Sequence, residues 1–428
     1  MEDQLVNGEA ENKQGCSNKK KYIVIFSISL IIIICVVITL FFILRGKDEE
    51  EECKTGYILI KGKCKQYSFV ATYYKDIIED PVQLVNETYL PYIRGMYMNN
   101  KNFDKTFSYN FSSIGNYTIY FDLDISSLTS LEYMFGEIKK MTSIKFSPTF
   151  NTKNIKNMDK MFYFCTYLNE IDLSIFDTSS VTSMDGMFGW CLILTSLDVS
   201  SFNTSSVTNM QNLFDSCSTL TSIDVSKFDT SKVTRIGHMF NNMAILSLDV
   251  SNFDTSNVRY MDCMFYCPNL KSLDVSNFNT SNVISMMSVF AGCISLTSLD
   301  VSNFDTSKVT MMPAMFWDCR SLVSLDISNF DTSNVVIISN MFENCESLTS
   351  LDISSFNTGK LKGISTLFFG CKNLSYIDIS SFPNNIDYDN RIFENLNKSG
   401  EIIVNKNIST IISNIFEDLN MTLTITEI

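Results

Sequence analysis

Histidine is nearly absent from this chain. Of 428 residues only His238 carries an imidazole. Acid–base, nucleophile–base and zinc sites mostly need at least one well-placed histidine, so the scarcity argues against an enzyme from the start. Basic charge is also short: Lys and Arg number 33 against 47 Asp and Glu, a net charge of −14. Such a chain repels phosphate, which argues against nucleic acid as a partner and against a polybasic membrane-surface protein. Glycine (16) and proline (6) are few, which excludes collagen-like and linker-like chains. No Gly-rich phosphate loop, Ser-His-Asp set or paired-carboxylate motif is present.

What is present begins with an uncharged apolar run, Tyr22 to Leu44. It is long enough to cross about 30 Å of hydrocarbon as a helix. A cleaved signal peptide would have a shorter apolar region ending in small residues, whereas this run ends in FFILRGK. The expectation is an uncleaved transmembrane helix. Lys13, Lys19, Lys20 and Lys21 precede it, and the acidic run Asp48 to Glu52 follows Arg45 and Lys47. The excess of Lys and Arg keeps the N-terminus cytoplasmic. The remaining chain is then extracellular, on a single-pass plasma-membrane protein. Cys16, on the inner side, is a candidate for S-acylation. Candidate glycosylation sequons all lie beyond the run, at Asn86, Asn110, Asn116, Asn203, Asn279, Asn373, Asn397, Asn407 and Asn420. Cys53 and Cys64 bracket a short loop and read as a disulfide, with two free thiols as the alternative.

Residues 66–125 are rich in aromatic and β-branched residues with partial alternation, as in SFVATYY and YTIYFDLD. They predict a small β domain or an N-terminal cap. Beyond them a 26-residue repeat takes over. One copy is LTSLDVSSFNTSSVTNMQNLFDSCST, Leu194 to Thr219. Its aspartate recurs at Asp172, Asp198, Asp224, Asp249, Asp274, Asp300, Asp326, Asp352 and Asp378. A fixed period of this size built on L-x-x-L-x-L predicts a leucine-rich-repeat-type solenoid. Leu197 and Val199 alternate with Asp198 and Ser200, which predicts a short parallel strand with the apolar pair inward. Asn203, Thr204 and Ser205 supply side-chain oxygens for a cap or an Asx turn. Val207, Met210, Leu213, Phe214 and Cys217 recur at steps of three and four, which predicts a short helical turn; a second short strand at S-x-V-x-x-M is the alternative.

The fold class expected is therefore α/β, with short parallel strands and short helical turns in each coil. The chain divides into a cytoplasmic tail (1–21), the transmembrane helix (22–44), a stalk (45–65), the β domain or cap (66–125), the solenoid (126–382) and a C-terminal cap (383–428).

The stretch LTSLDVSSFNTSSVTNMQNLFDSC and its copies through Cys371 resemble the BspA-like leucine-rich-repeat surface proteins of bacteria and parasitic protists. The resemblance covers about three-fifths of the chain, and CKTGYILIKGKCKQYSF extends it more weakly. It implies a cell-surface adhesin or antigen that contacts host matrix, other cells or microbes, without identifying a ligand.

Each column of the repeat is a separate test for chemistry. Cys165, Cys191, Cys217, Cys267, Cys293, Cys319, Cys345 and Cys371 share one column, with Met243 standing in once. Zinc would want ligands two to four residues apart, and adjacent disulfides would need Cβ atoms closer than stacked coils allow. The column reads as a buried thiol ladder, with some disulfides or a metal as alternatives, and no cofactor is expected. The nine aspartates should form an outward ladder. Two unit charges 5 Å apart in water repel by about 0.8 kcal/mol, so hydroxyl donors from flanking Ser and Thr, or bound cations, should offset the repulsion. His238 reads as a surface or half-buried residue. The function expected is adhesion or recognition through many weak contacts with an extracellular protein or glycan. A ligand-free surface coat is the alternative, and an ectoenzyme is a distant third.

Overall fold

The computed structural model describes residues 53–427 except 387, 389, 398 and 420–423. Cys16, the apolar run 22–44 and Asn420 lie outside the described residues. Among the described residues no helix is long and apolar enough to cross a membrane.

The described chain opens with a hairpin, β1 (Tyr57–Ile60) and β2 (Lys63–Gln66). Lys61 and Gly62 both take positive φ at its two-residue turn, 48° and 75°, which matches the twist of the paired strands. β3 (Phe69–Lys75) buries every second residue, from Phe69 through Lys75. A two-stranded ribbon of β4 (Val82–Gln83) and β7 (Ser108–Tyr109) flanks the sheet built on β3. That sheet adds β5 (Ile93–Met98), β6 (Lys101–Phe103) and β8 (Gly115–Leu123). It also takes in β9 (Met141–Phe146) and β10 (Glu170–Asp172) from the first coils, in the order β10-β9-β3-β8-β5-β6. β3 runs antiparallel to β9. Residues 66–125 thus cover the first coil by pairing with its strand.

The repeats form a β-solenoid of about 11 turns with almost no helix, which corrects the expected α/β class. No coil contains the expected helical turn. Four of the inward residues instead close three-residue turns on the residue three before. Val207 N–H donates to Thr204 O, Leu213 to Met210, Cys217 to Phe214 and Leu220 to Cys217. The alternate N–H groups leave the coil altogether. Those of Met210, Asn212, Phe214 and Ser216 donate to the carbonyls of Arg235, Gly237, Met239 and Asn241. A helix would have turned them back four residues along the chain. The apolar spacing was that of three-residue turns, which mimics a helical period over so short a stretch.

This path takes left-handed backbone at two places in most coils, and at Cys263 alone in the coil of Tyr266. In the copy quoted above they are Asn212 and Ser216, at φ 56° and 57°. Elsewhere Phe164, Trp190, His238, Ala314 and Thr366 hold the same conformation. For a residue with a Cβ this costs about 1–2 kcal/mol. Gly186, Gly292 and Gly370 occupy the same columns with φ 61°, 68° and 74°.

The strand expected at each Leu-Asp-Val is also corrected. Hydrogen-bonded strands occupy this column only near the two ends: β9 with β10, and a parallel sheet of β11 (Ser350–Asp352), β12 (Tyr376–Asp378), β13 (Glu401–Val404) and β14 (Thr424–Glu427). Between them the segment forms no ladder. The continuous parallel link lies elsewhere, in one-residue bridges running Ser130, Asn157, Ser183, Asn209, Arg235, Tyr260, Ser285, Met311, Ile337, Gly363. That column falls within the S-x-V-x-x-M stretch.

One ring per coil forms the spine of the core. Eleven phenylalanines, Phe135 to Phe393, stack with centroids 5.4–6.1 Å apart. Phe69 meets one end edge-on at 85°, and Phe416 meets the other at 84°. Phe416 comes from α1 (Ser409–Asp418), which buries Ile412, Ile415 and Phe416 at helical spacing over the last coils.

A buried threonine column staples the coils. Thr204 Oγ1 donates to Asp229 O at 3.0 Å and accepts from Asp229 N–H at 2.8 Å. Thr152 and Thr178 do the same, and the donated bond recurs through Thr358. Replacing Thr204 by Val strands both backbone groups of Asp229. The expected loss is about 2 kcal/mol or more in chemical denaturation, while Thr204→Ser stays within about 1 kcal/mol of the parent. Ala314→Gly should act in the opposite sense. Relief of the left-handed Cβ, less the entropy cost of glycine, predicts a gain of about 0.5–1 kcal/mol by the same measurement.

Candidate functional site

Coil geometry decides which side chains meet, because every column repeats at the coil spacing. The nine aspartates do form a column, and all but Asp378 are exposed. Each sits at the start of an Asx turn. Asp198 Oδ1 accepts the N–H of Ser200 at 2.9 Å, and the same bond recurs from Asp172 to Asp378. At Asp172, Asp326, Asp352 and Asp378 the serine hydroxyl donates to the same oxygen. A carboxylate that accepts two local donors favours its charged form. The hydroxyl and N–H of the following serine hold Asp172, Asp198, Asp224, Asp249, Asp274, Asp300 and Asp326 below the usual carboxylate value. Repulsion from the next aspartate, where it acts, pushes the other way and more weakly. Among the described residues no hydrogen bond reaches Oδ2 of Asp198 or Asp224, which leaves an acceptor on each of these exposed side chains. Glu170, Ile171, Ser196, Asp198, Ser222 and Asp224 line an open hollow of about 530 Å³ on this face.

A second Asx column follows five residues on. Asp177, Asn203, Asp229, Asp254, Asn279, Asp305, Asp331 and Asn357 each accept the N–H two residues later. Asn203 and Asn279 are sequon asparagines, exposed and fixed in these turns. Of the other sequons, Asn86 caps a 3₁₀ helix through Thr88 N–H, and Asn110 Oδ1 accepts from the buried Lys75. Asn397 accepts from Ser399, while Asn116, Asn373 and Asn407 are exposed. They are scattered over the fold and share no site.

The cysteine column is fully buried and its thiols are free. Each donates to the carbonyl of the stacked phenylalanine one coil back: Cys217 to Phe188 O at 3.2 Å, Cys371 to Phe342 O at 3.0 Å. Burial pushes the thiols of Cys217, Cys293 and Cys371 up to about 12, far from a reactive thiolate. Cys53 and Cys64 are both disulfide-bonded. Among the described residues no group of three His, Cys, Asp or Glu is disposed to hold a metal ion.

Two features escaped the reading of the residues. The threonine staple was signalled only by a Thr recurring in every copy beside variable Asp or Asn. The cleft around His238, lined also by Gln211, Arg235, Gly237, Tyr260 and Asp262, lies on the bridge column, where no copy matches the next.

Fold and site together define a repeat β-solenoid with a uniform polar face and an apolar interior. Residues 101–197, 129–247, 194–298, 243–349 and 285–410 match the family described as "Mycoplasma protein of unknown function, DUF285", and the chain belongs to that family. No curated protein matches it. It is similar to a solved structure described as "Functional domain of InlJ from Listeria monocytogenes includes a cysteine ladder". That match has 18% identity and a TM-score of 0.24, covering 67% of this chain and 51% of that one. The chain thus spans about half the length of that structure.

The lowered carboxylates tie stability to pH. Their folded values lie below the unfolded value near 4, so their contribution is complete above about pH 4 and is lost as pH falls through the folded values. Relief of the −14 net charge acts in the opposite sense. A variant carrying Asp177→Asn, Asp229→Asn and Asp305→Asn keeps the Asx turns but removes three lowered carboxylates. Its thermal midpoint, followed by circular dichroism, should fall less steeply below about pH 4 than that of the parent; equal slopes would refute the assignment.

Proposed function

We propose that this chain is a non-catalytic recognition protein of BspA-like kind, working outside the cell. Its aspartate face makes many weak contacts with an extracellular protein or glycan. The observation that carries the reading is the column of exposed aspartates, each held by an Asx turn through Oδ1. Such a row suits ligands that repeat their own donors, whether hydroxyls of a glycan or basic side chains of a protein. Individually weak contacts gain through effective concentration when several engage together. The disulfide-bonded Cys53 and Cys64 support an oxidising location, since such bonds are rare in the reducing cytosol. The nine free described thiols are compatible with that location, because eight of them are buried out of reach.

A ligand-free surface coat is the rival, favoured by the same uniformity. The two readings part on binding. A screen of the full-length protein against glycans and matrix proteins should find saturable binding. The variant Asp198→Asn, Asp224→Asn, Asp249→Asn should weaken it by about tenfold or more, with single variants losing much less. Asn203 and Asn279 hold equivalent turns in this chain, so the substitutions preserve the backbone. Absence of saturable binding across the panel, or undiminished binding by the triple variant, removes the recognition reading.

A further inference from the structure

The bridge column differs from the aspartate column in its side chains. Ser183, Asn209, Arg235, Tyr260, Ser285 and Met311 follow one another along it. Its backbone bridges the coils whatever the side chain, and Ser183 and Ser285 add a hydroxyl bond to an aspartate of the preceding coil, Asp159 and Asp262. Midway along lies the His238 cleft, of about 270 Å³.

Gly237 creates it. Flanking coils place Gln211 and Asp262 at the same column, where Gly237 leaves a gap. A Cβ on Gly237 would also come within 3.0 Å of the Asp262 carbonyl oxygen. Arg235 projects beside the gap. Its side chain forms no ion pair among the described residues, although the chain carries an excess of acid. The guanidinium carbon lies 5.7 Å from the centroid of the Tyr260 ring. Asp262 is fixed from the next coil: its Oδ1 accepts Ser285 Oγ at 2.5 Å and Met287 N–H at 3.0 Å. Arg235 is therefore steadied by a ring, while a carboxylate and an amide stand across the gap.

We propose that this cleft binds an acidic sugar, a pyranose ring carrying one carboxylate. The planar fork of Arg235 suits a carboxylate bidentately. Tyr260 presents an aromatic surface against which the C–H face of a sugar packs. Asp262 Oδ2 and the Gln211 amide accept and donate to ring hydroxyls. The volume falls below the range of about 300–1,000 Å³ typical of drug-sized sites, which suits a single ring. The surrounding negative charge disfavours polyanions, so one carboxylate directed at the unpaired arginine is the acidity the site tolerates. This site does not rest on the aspartate face and stands or falls separately from it.

The test titrates the full-length protein with methyl glucuronide, and with methyl glucoside as the neutral control, by saturation-transfer NMR and calorimetry. Saturable glucuronide binding of roughly millimolar strength is expected, with glucoside at least about tenfold weaker. Arg235→Ala should lose about tenfold in glucuronide affinity and little of its glucoside affinity, and Arg235→Lys should restore only part of the loss. Arg235 is exposed, so the fold should survive, with an unchanged circular-dichroism melt as the check. Gly237→Ala, which fills the gap, should weaken both sugars. Absence of saturable glucuronide binding, equal affinity for the two sugars, or undiminished glucuronide binding by folded Arg235→Ala would each overturn the proposal.

Discussion

Backbone N–H groups that donate to the next coil, rather than four residues back, govern this molecule. Met210, Asn212, Phe214 and Ser216 all do so. Once those bonds leave the coil, each coil must follow its neighbour's path, and every position becomes a column. The left-handed residues are the cost of that path, since outward-going donors at alternate positions need the chain to reverse its turn, twice in most coils. Bulky residues such as Trp190 and Phe164 sit in those positions because the stack on either side fixes the backbone whatever the side chain.

The same constraint explains which residues fill the interior. A buried polar group in one coil is buried in all, so it must find a partner in the adjacent coil or be excluded. Threonine qualifies, with its hydroxyl serving both backbone groups of the residue stacked on it. Cysteine qualifies in a quieter way. Phe188 O already accepts the N–H of Cys191, and the Cys217 thiol adds a second donor to the same oxygen. Cysteine therefore fills a small apolar slot and supplies a weak donor. Met243 fills the slot without the donor, which fits its single occurrence.

Much of this was legible in the residues. The period, the buried Leu, Val, Phe, Met and Cys columns and the outward aspartates all follow from spacing. The helix did not follow, because Val207, Met210, Leu213, Phe214 and Cys217 satisfy a three-residue turn and a helical stripe equally over eleven positions. What separates the two is the destination of the N–H groups, which side-chain pattern does not encode. The strand at Leu197-Asp198-Val199 alternates as a strand should, yet pairs only near the ends of the array, where β3 and β13 supply partners. Of the site, the aspartate face was visible because it repeats. The Arg235 cleft was invisible for the converse reason: it is made by residues from three coils that break the repeat.

The two faces differ because their side chains have different duties. On the aspartate column the side chain closes the turn, so only Asp or Asn serves and the surface is bound to be uniform. On the bridge column the backbone bridge forms whatever the side chain, with Ser183 and Ser285 adding a hydroxyl bond to the preceding coil's aspartate, so Arg235, Tyr260 and Met311 are equally admissible there. Uniformity favours contacts that add up by number, and variability favours a pocket that occurs once. A solenoid of this kind can therefore carry avidity on one column and selectivity on another, each set by whether the backbone needs the side chain at that position.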